Sequence, residues 1–163
     1  MIVILVESLI SCFLFTMIAG SMTYFNPLGM IHDYPPAIQK RVKELGLITD
    51  DKNSYSKAFV IRKILAIITF GVILAFIVYK FNGADSFITG FTYSYLLYCI
   101  VDWWDALVMD CLWFCHSKKV IIPGTEGMKE YKDYLFHIQG SLKGMLLGLP
   151  ICALAGGIIE VFM

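Results

Sequence analysis

The chain has little charge: Asp, Glu, Lys and Arg make up 16% of its 163 residues, whereas 58% are apolar. Soluble domains carry about 25% charged residues, so this shortage excludes an ordinary soluble protein and indicates a chain surrounded mostly by lipid. The formal net charge is zero. Because the chain is mostly apolar, we expect membrane lipids as partners. Because its net charge is zero, we expect no nucleic acid, since nucleic-acid binding requires a basic surface.

The chain also lacks the cysteine patterns of redox and haem proteins. Its five cysteines are odd in number and form no CxxC pair, which argues against a disulfide framework and favours buried free thiols. The haem-attachment motif CxxCH has two residues between its cysteines. Three residues separate Cys111 from Cys115, which His116 follows, so this stretch does not match the motif. The PGTEG stretch lacks the Gly-Lys-Ser/Thr ending of a phosphate-binding loop and predicts a turn.

Four apolar segments are long enough to cross a hydrocarbon core of roughly 30 Å, which needs about 20 helical residues. We predict an all-α membrane protein with one transmembrane domain over residues 1–163 and spans at 2–23, 58–79, 87–115 and 140–162. The connecting loops are 24–57 and 116–139. The first segment has no basic region before it and contains Glu7, so we interpret it as a permanent span rather than a signal peptide.

The basic residues predict the orientation of the chain in the cell membrane. Twelve of the thirteen lysines and arginines lie in or beside the two long loops, and only Lys80 lies on the other side. The positive-inside rule therefore predicts that both loops are cytoplasmic and that both termini are outside.

The first loop contains a helical pattern that begins at Pro35 and Pro36 and that Gly46 can end. Its apolar residues recur at i, i+4 and i+7. This spacing predicts a short amphipathic helix on the cytoplasmic surface, whose apolar residues are Ile38, Val42 and Leu45.

The last span carries small residues at every fourth position, namely Gly140, Gly144 and Gly148, followed by Cys152 and Gly156. Such spacing allows two helix backbones to approach closely. We predict that another helix packs against this stripe, either from this chain or from a partner membrane subunit or second copy.

Asp102 and Asp105 lie deep in the third span, where each carboxylate costs roughly 2.5 to 3.5 kcal/mol on an insertion scale. Such residues must face the bundle, a partner or water. At 100° per residue they share one face of the third helix with Tyr95, Tyr98, Met109, Trp113 and His116.

A second group of polar residues lies nearer the cytoplasm. Asp110 and His116 end the third span, and a continuous fourth helix would place Glu130, Asp133 and His137 in line with the glycine stripe. If the stripe packs on the third helix, these residues converge at the cytoplasmic mouth of the bundle. We predict a site there, with Asp110, His116, Asp133 and His137 as its members.

Several kinds of chemistry suit this cluster. The carboxylates and imidazoles could hold a divalent metal, with Asp110, His116, Glu130, Asp133 and His137 as candidate ligands. Alternatively, His137 could be a general base oriented by Asp133, with Asp110 and His116 clamping a substrate. A proton or cation path through Asp102 and Asp105, and a purely structural hydrogen-bonded cluster, are further alternatives. The cofactor is therefore unknown.

The stretches NPLGMIHDYPPAIQ and VIIPGTEGMKEYKDYLFHIQGSLKG, with the aspartate-rich third span and glycine-rich last helix, resemble a family of small bacterial and archaeal integral membrane proteins of uncharacterised function. The resemblance covers most of the chain after Tyr24. It implies four spans, and it implies no activity, substrate or catalytic residue.

These patterns leave three functions open. The first is a small membrane enzyme acting on a lipid or other hydrophobic substrate at the cytoplasmic leaflet. The second is a proton- or cation-linked transporter or channel-like oligomer. The third is a non-catalytic membrane subunit or assembly factor, whose glycine stripe binds a partner's helix.

Overall fold

A computed structural model describes residues 2–48 and 57–162, with side chains from Val60 onward in the second range. All regular structure in that part of the chain is helical, as the predicted all-α class requires. The α-helices are α1 (Ile2–Phe25), α2 (Pro36–Glu44), α3 (Lys57–Asn82), α4 (Phe87–Trp104) and α5 (Tyr134–Phe162). Residues 49–56 of the predicted first loop lie outside the described residues.

Three of the described helices are long and apolar enough to cross a membrane: Ile2–Phe25, Val60–Asn82 and Tyr134–Phe162. Most of their large apolar side chains are exposed, as expected of surfaces that lipid covers. These helices support membrane association. α4 does not join this group, because Tyr93, Tyr95, Tyr98 and Asp102 lie among its apolar residues.

The third predicted span is helical along its length but changes its helix type. α4 ends at Trp104, a π-helix runs from Asp105 to Trp113, and a 3₁₀ turn covers Phe114–His116. A π-helix has i to i+5 hydrogen bonds and a wider turn than an α-helix. Beyond Trp104, the angular positions of side chains around the helix axis therefore differ from those predicted at 100° per residue. The predicted single polar face therefore does not extend from Tyr95 to His116. The π-helical sequence has neither proline nor glycine to indicate this change.

The fourth predicted span begins earlier than residue 140 but is not continuous with the residues before it. Lys129–Lys132 form a separate 3₁₀ turn, and Asp133 leaves the helical region with ψ of 76°. Asp133 then accepts a hydrogen bond from the backbone N–H of Phe136 over 3.0 Å, so it caps α5. The prediction that Glu130 shares a helical face with His137 is therefore wrong.

One compact unit comprises residues 2–10, 57–102 and 143–162. In it, the small residues of α5 lie against α4. A side chain at Gly156 would come within 2.7 Å of the Phe87 carbonyl oxygen, while Gly148 faces the Tyr98 ring and Gly144 faces the Asp102 carboxylate. Gly140, which the predicted stripe also included, has no neighbour within 4 Å of an added Cβ. The buried core consists of Leu74, Ala75, Val78, Ala84, Leu97, Cys152, Ala155 and Ile159.

The other compact unit comprises residues 11–48 and 103–142. Here the two predicted loops and the end of the third predicted span share one core, which contains Ile31, Tyr34, Ile38, Val42, Phe114, Cys115, Val120, Ile122 and Tyr131. The apolar side chains of α2 thus contact protein: Ile38 and Val42 are fully buried. The PGTEG stretch forms turns in which Gly124 and Gly127 have φ of 88° and 80°, values that favour glycine.

All five cysteines are free thiols, as their spacing predicted. Cys12, Cys115 and Cys152 are buried, whereas Cys99 and Cys111 are half-buried. Cys115 and Cys152 belong to the two apolar cores, where a thiol packs as a small hydrophobic side chain.

Candidate functional site

The centre of the candidate site is a close polar contact between a histidine and an aspartate from two different elements. Nδ1 of His137, in the first turns of α5, lies 2.9 Å from Oδ2 of Asp110, in the π-helix. The cap at Asp133 fixes the start of α5, and the π-helix fixes the phase of Asp110. Both residues were predicted from the sequence, where His137 was paired with Asp133.

His137 is enclosed almost completely. Its side chain is 2% exposed, and the rings of Phe114 and Phe136 each lie 5.2 Å from the imidazole between ring centroids, at steep angles. Its Nε2 atom is buried and has no hydrogen-bond partner within the described residues. A buried polar atom without a partner destabilises a fold by about 1–3 kcal/mol, so such an atom calls for a functional or ligand-based explanation.

The Asp110 carboxylate determines what His137 can do. A carboxylate only accepts hydrogen bonds, so Nδ1 of His137 carries the proton that faces Asp110 and Nε2 of the neutral ring is an acceptor. The Asp110 side chain is 31% exposed, so the pair has one enclosed end and one end that reaches the surface. This arrangement orients an imidazole as a general base and stabilises it after it accepts a proton.

Asp33 is a third ionisable residue near the pair, and no pattern in the sequence predicted it. Surrounding protein raises the pKa of Asp33, the Asp110 carboxylate raises it further, and His32 and His137 lower it. The residue keeps solvent exposure, but its position is fixed because the next residue, Tyr34, is fully buried. In the sequence, Asp33 is the aspartate of the HDYPP stretch of the first loop. No helical or strand periodicity relates this residue to Asp110.

Three of the predicted site residues lie apart from this pair or take another role. Asp133 is the α5 cap described above. His116 is exposed, with Nδ1 3.1 Å from the Leu112 carbonyl oxygen and Nε2 3.3 Å from the Tyr134 hydroxyl. Glu130 lies in the 3₁₀ turn before the cap, where its carbonyl oxygen accepts a bond from the Asp133 backbone.

The deeper aspartates, Asp102 and Asp105, precede Asp110 along the third predicted span. Asp102 lies near the end of α4, with its carboxylate against Gly144 of α5. The Tyr98 hydroxyl one turn earlier donates a hydrogen bond to the Gly144 carbonyl oxygen over 3.0 Å. Asp105, which is the first residue of the π-helix, is half-buried. Asp102 thus takes part in the close packing of α4 and α5.

The donor atoms for a metal are fewer than the sequence analysis proposed. Across residues 2–48 and 57–162, no three His, Cys, Asp or Glu side chains are grouped to hold a metal ion. Nε2 of His137 and the exposed part of Asp110 are the donors that the pair itself would offer. A divalent metal therefore stays a prediction.

No protein-family model, curated protein or solved structure matches this chain. The resemblance to small bacterial and archaeal membrane proteins stays a prediction, and the functional argument rests on the geometry of the Asp110–His137 pair.

Proposed function

We propose that the protein is a four-span membrane enzyme in which His137 acts as general base on a lipid or other hydrophobic substrate at the cytoplasmic leaflet. Asp110 replaces Asp133 as the residue that orients His137. The observation that carries the proposal is the 2.9 Å contact between His137 and Asp110, combined with a buried and unpartnered Nε2.

The topology in this proposal places both loops on the cytoplasmic side and both termini outside. Two observations support it. The basic residues concentrate in and beside the loops, and the loops share one apolar core. In this proposal the third predicted span, which contains α4 and the π-helix, crosses the membrane in addition to the three apolar helices. The contact between Asp102 and Gly144 supports this, because it directs a carboxylate of that span towards another helix.

The chemistry follows from the two ring nitrogens. Nε2 of neutral His137 accepts a proton from the substrate, while Nδ1 keeps its proton on the Asp110 side. The resulting imidazolium lies beside the Asp110 carboxylate, which stabilises the charge, and the same proton can return from Nε2 to the product. A positioned general base of this kind contributes about 10²–10⁴-fold in rate.

The test uses the purified full chain in liposomes made from a total lipid extract, with mass spectrometry to follow every lipid class. We expect a lipid to be converted by the wild type and the conversion to fall about 10²–10⁴-fold in His137→Gln and Asp110→Asn. Asp85→Asn is the matched control, because Asp85 is an exposed carboxylate before α4. Equal conversion by all four proteins would contradict the assignment of His137 and Asp110.

The same liposomes distinguish the other functions that the sequence left open. If the wild type collapses a pH gradient without converting lipid, and the gradient persists with Asp102→Asn and Asp105→Asn, the protein would be a transporter. A protein that does neither but binds another membrane subunit would favour a non-catalytic role. That binding should be lost in Gly140→Leu, because an added Cβ at Gly140 has no neighbour within 4 Å in the described part of the chain.

A further inference from the structure

We propose that the ligand of this site is a neutral amphiphile whose hydroxyl group donates a hydrogen bond to Nε2 of His137, and that the site discriminates against anionic lipids. The inference rests on the proposed function, since it concerns the same pair of residues. It deepens that function by naming the chemical class of the substrate: an uncharged molecule with an apolar chain and a hydroxyl group.

The requirement for a hydroxyl group follows from the hydrogen-bond balance of His137. Its Nδ1 proton is directed to Asp110 at 2.9 Å, so the ring has one free lone pair, on Nε2. That atom is buried and unpartnered, although almost all buried polar atoms in proteins have a partner. An O–H donor from a ligand supplies the missing bond, which an ether or a hydrocarbon cannot do.

The requirement for an apolar body follows from the surroundings of the ring. Phe114 and Phe136 present their rings at 64° and 78° to the imidazole plane, each 5.2 Å away. The exposed fraction of the histidine side chain is only 2%. A ligand group that reaches Nε2 therefore displaces the aromatic rings from the imidazole and lies among apolar atoms. An apolar ligand body can leave lipid for such surroundings without the desolvation cost that a polar body would have.

The discrimination against anions follows from the charges that face the pair. Asp110 contacts His137 directly on the π-helix, and the first loop contributes Asp33, with His32 beside it. When the histidines are neutral, Asp33 and Asp110 are the charges of these four residues. Around Cys115, the carboxylates of Asp110 and Asp133 outnumber the ammonium group of Lys132. Repulsion between a carboxylate ligand and Asp33 or Asp110 is expected to weaken its binding about tenfold or more relative to the alcohol.

The experiment compares oleyl alcohol, oleyl methyl ether and oleate, which share one hydrocarbon chain and differ only in the head group. The full chain is labelled with ¹⁵N-histidine in phosphatidylcholine nanodiscs at an alkaline pH at which oleate is ionised. The chain has three histidines, so His32→Gln and His116→Gln assign the His137 signals by elimination. Dissociation constants are measured by titration of each ligand.

We expect oleyl alcohol to shift the Nε2 resonance of His137, the methyl ether to leave that resonance in place, and oleate to bind about tenfold more weakly than the alcohol. Asp33→Asn should narrow the difference between oleate and the alcohol, whereas Asp85→Asn should keep it. His137→Phe should lose the preference for the alcohol over the ether. An equal shift with the ether, or equal affinity for oleate, would overturn the inference. Both comparisons are made on the wild type, and His32→Gln and His116→Gln serve only to assign its signals.

Failure of this inference and failure of the proposed function give different results. Binding of oleyl alcohol at Nε2 in a protein that converts no lipid would leave the ligand class standing and reject the enzyme. Conversion of an anionic lipid that depends on His137 and Asp110 would leave the enzyme standing and reject the ligand class.

Discussion

The Tyr34 hydroxyl group donates a hydrogen bond to the carbonyl oxygen of Val120 across 3.0 Å. Both residues are fully buried, and the Tyr34 ring meets the Phe114 ring edge-on with 4.8 Å between centroids. This bond joins the first loop to the second. Because Asp33 precedes Tyr34 and Phe114 lies against His137, the geometry of the candidate site depends on the core that the two loops share.

Tyr34→Phe should destabilise this core by about 1–3 kcal/mol, because it removes the donor and leaves a buried carbonyl oxygen without a partner. Burial also raises the pKa of Tyr34, so its hydroxyl group remains a donor throughout the neutral range. Reversible unfolding in detergent measures the change. Tyr134→Phe is the matched control, since its hydroxyl group is exposed and bonded to His116, and a loss within about 0.5 kcal/mol is expected there. Equal losses in both variants would contradict the role of Tyr34.

The sequence predicted the helices well, since long apolar runs and the pattern of Ile38 and Val42 depend on local periodicity. It also selected Asp110 and His137, which the structure brings together, while their role stays a prediction. It paired His137 with Asp133 because it assumed an uninterrupted helix, whereas Asp133 caps α5 through the Phe136 N–H. It did not indicate the π-helix, since that widening has no proline or glycine signal. Asp33 was missed because its proximity arises from the packing of the two loops, a tertiary effect that no local pattern encodes.

Gly156→Ala should weaken the packing of α5 on α4. An added Cβ would lie 2.7 Å from the Phe87 carbonyl oxygen and 3.1 Å from the Phe91 amide nitrogen, and these backbone atoms cannot move independently of α4. Overpacking of this kind costs about 1–3 kcal/mol. The neighbouring Gly157→Ala is the control, because nothing lies within 4 Å of its added Cβ. Unfolding titrations of both variants should show a loss only for Gly156→Ala, and a similar loss at Gly157 would contradict this account.

Glu7 and Asn82 should show coupling in a double-mutant cycle. The Asn82 amide donates to Oε2 of Glu7 over 2.6 Å, while Oε1 of Glu7 is buried without a partner in the described part of the chain. Asn82→Leu should cost about 1–3 kcal/mol because it removes the partner of a buried acceptor. Glu7→Leu combined with Asn82→Leu should cost less, since no polar group is then left buried. Strictly additive effects in unfolding measurements would show that the two side chains do not interact.

Asp133→Ala should destabilise the start of α5 by about 0.5–2 kcal/mol, because it removes the acceptor for the Phe136 N–H. Asp133→Asn should cost much less, since asparagine is an equally good cap. Hydrogen exchange of the first α5 amides measures the effect locally. Equal protection factors in Asp133→Ala and the wild type would show that Asp133 does not cap the helix.

The pKa of Asp33 is raised above its ordinary value of 3.8, first by burial and then by the Asp110 carboxylate. An acid with a raised pKa in the folded state binds its proton more tightly there than in the unfolded chain. The free energy of unfolding therefore falls as the pH rises from the ordinary value through the raised one. The ionised carboxylate keeps this penalty at all higher pH values.

Asp33→Asn should consequently stabilise the protein at neutral pH, because the amide carries no charge to bury or to repel Asp110. The difference from the wild type should shrink as the pH falls through the raised pKa and vanish below about 3.8, where the wild-type carboxyl group is neutral in both states. Unfolding curves of both proteins across this range give the difference directly, and Asp85→Asn controls for the loss of one exposed carboxylate. A stabilisation that grows towards acid pH would have the wrong sign and would remove Asp33 from the vicinity of Asp110.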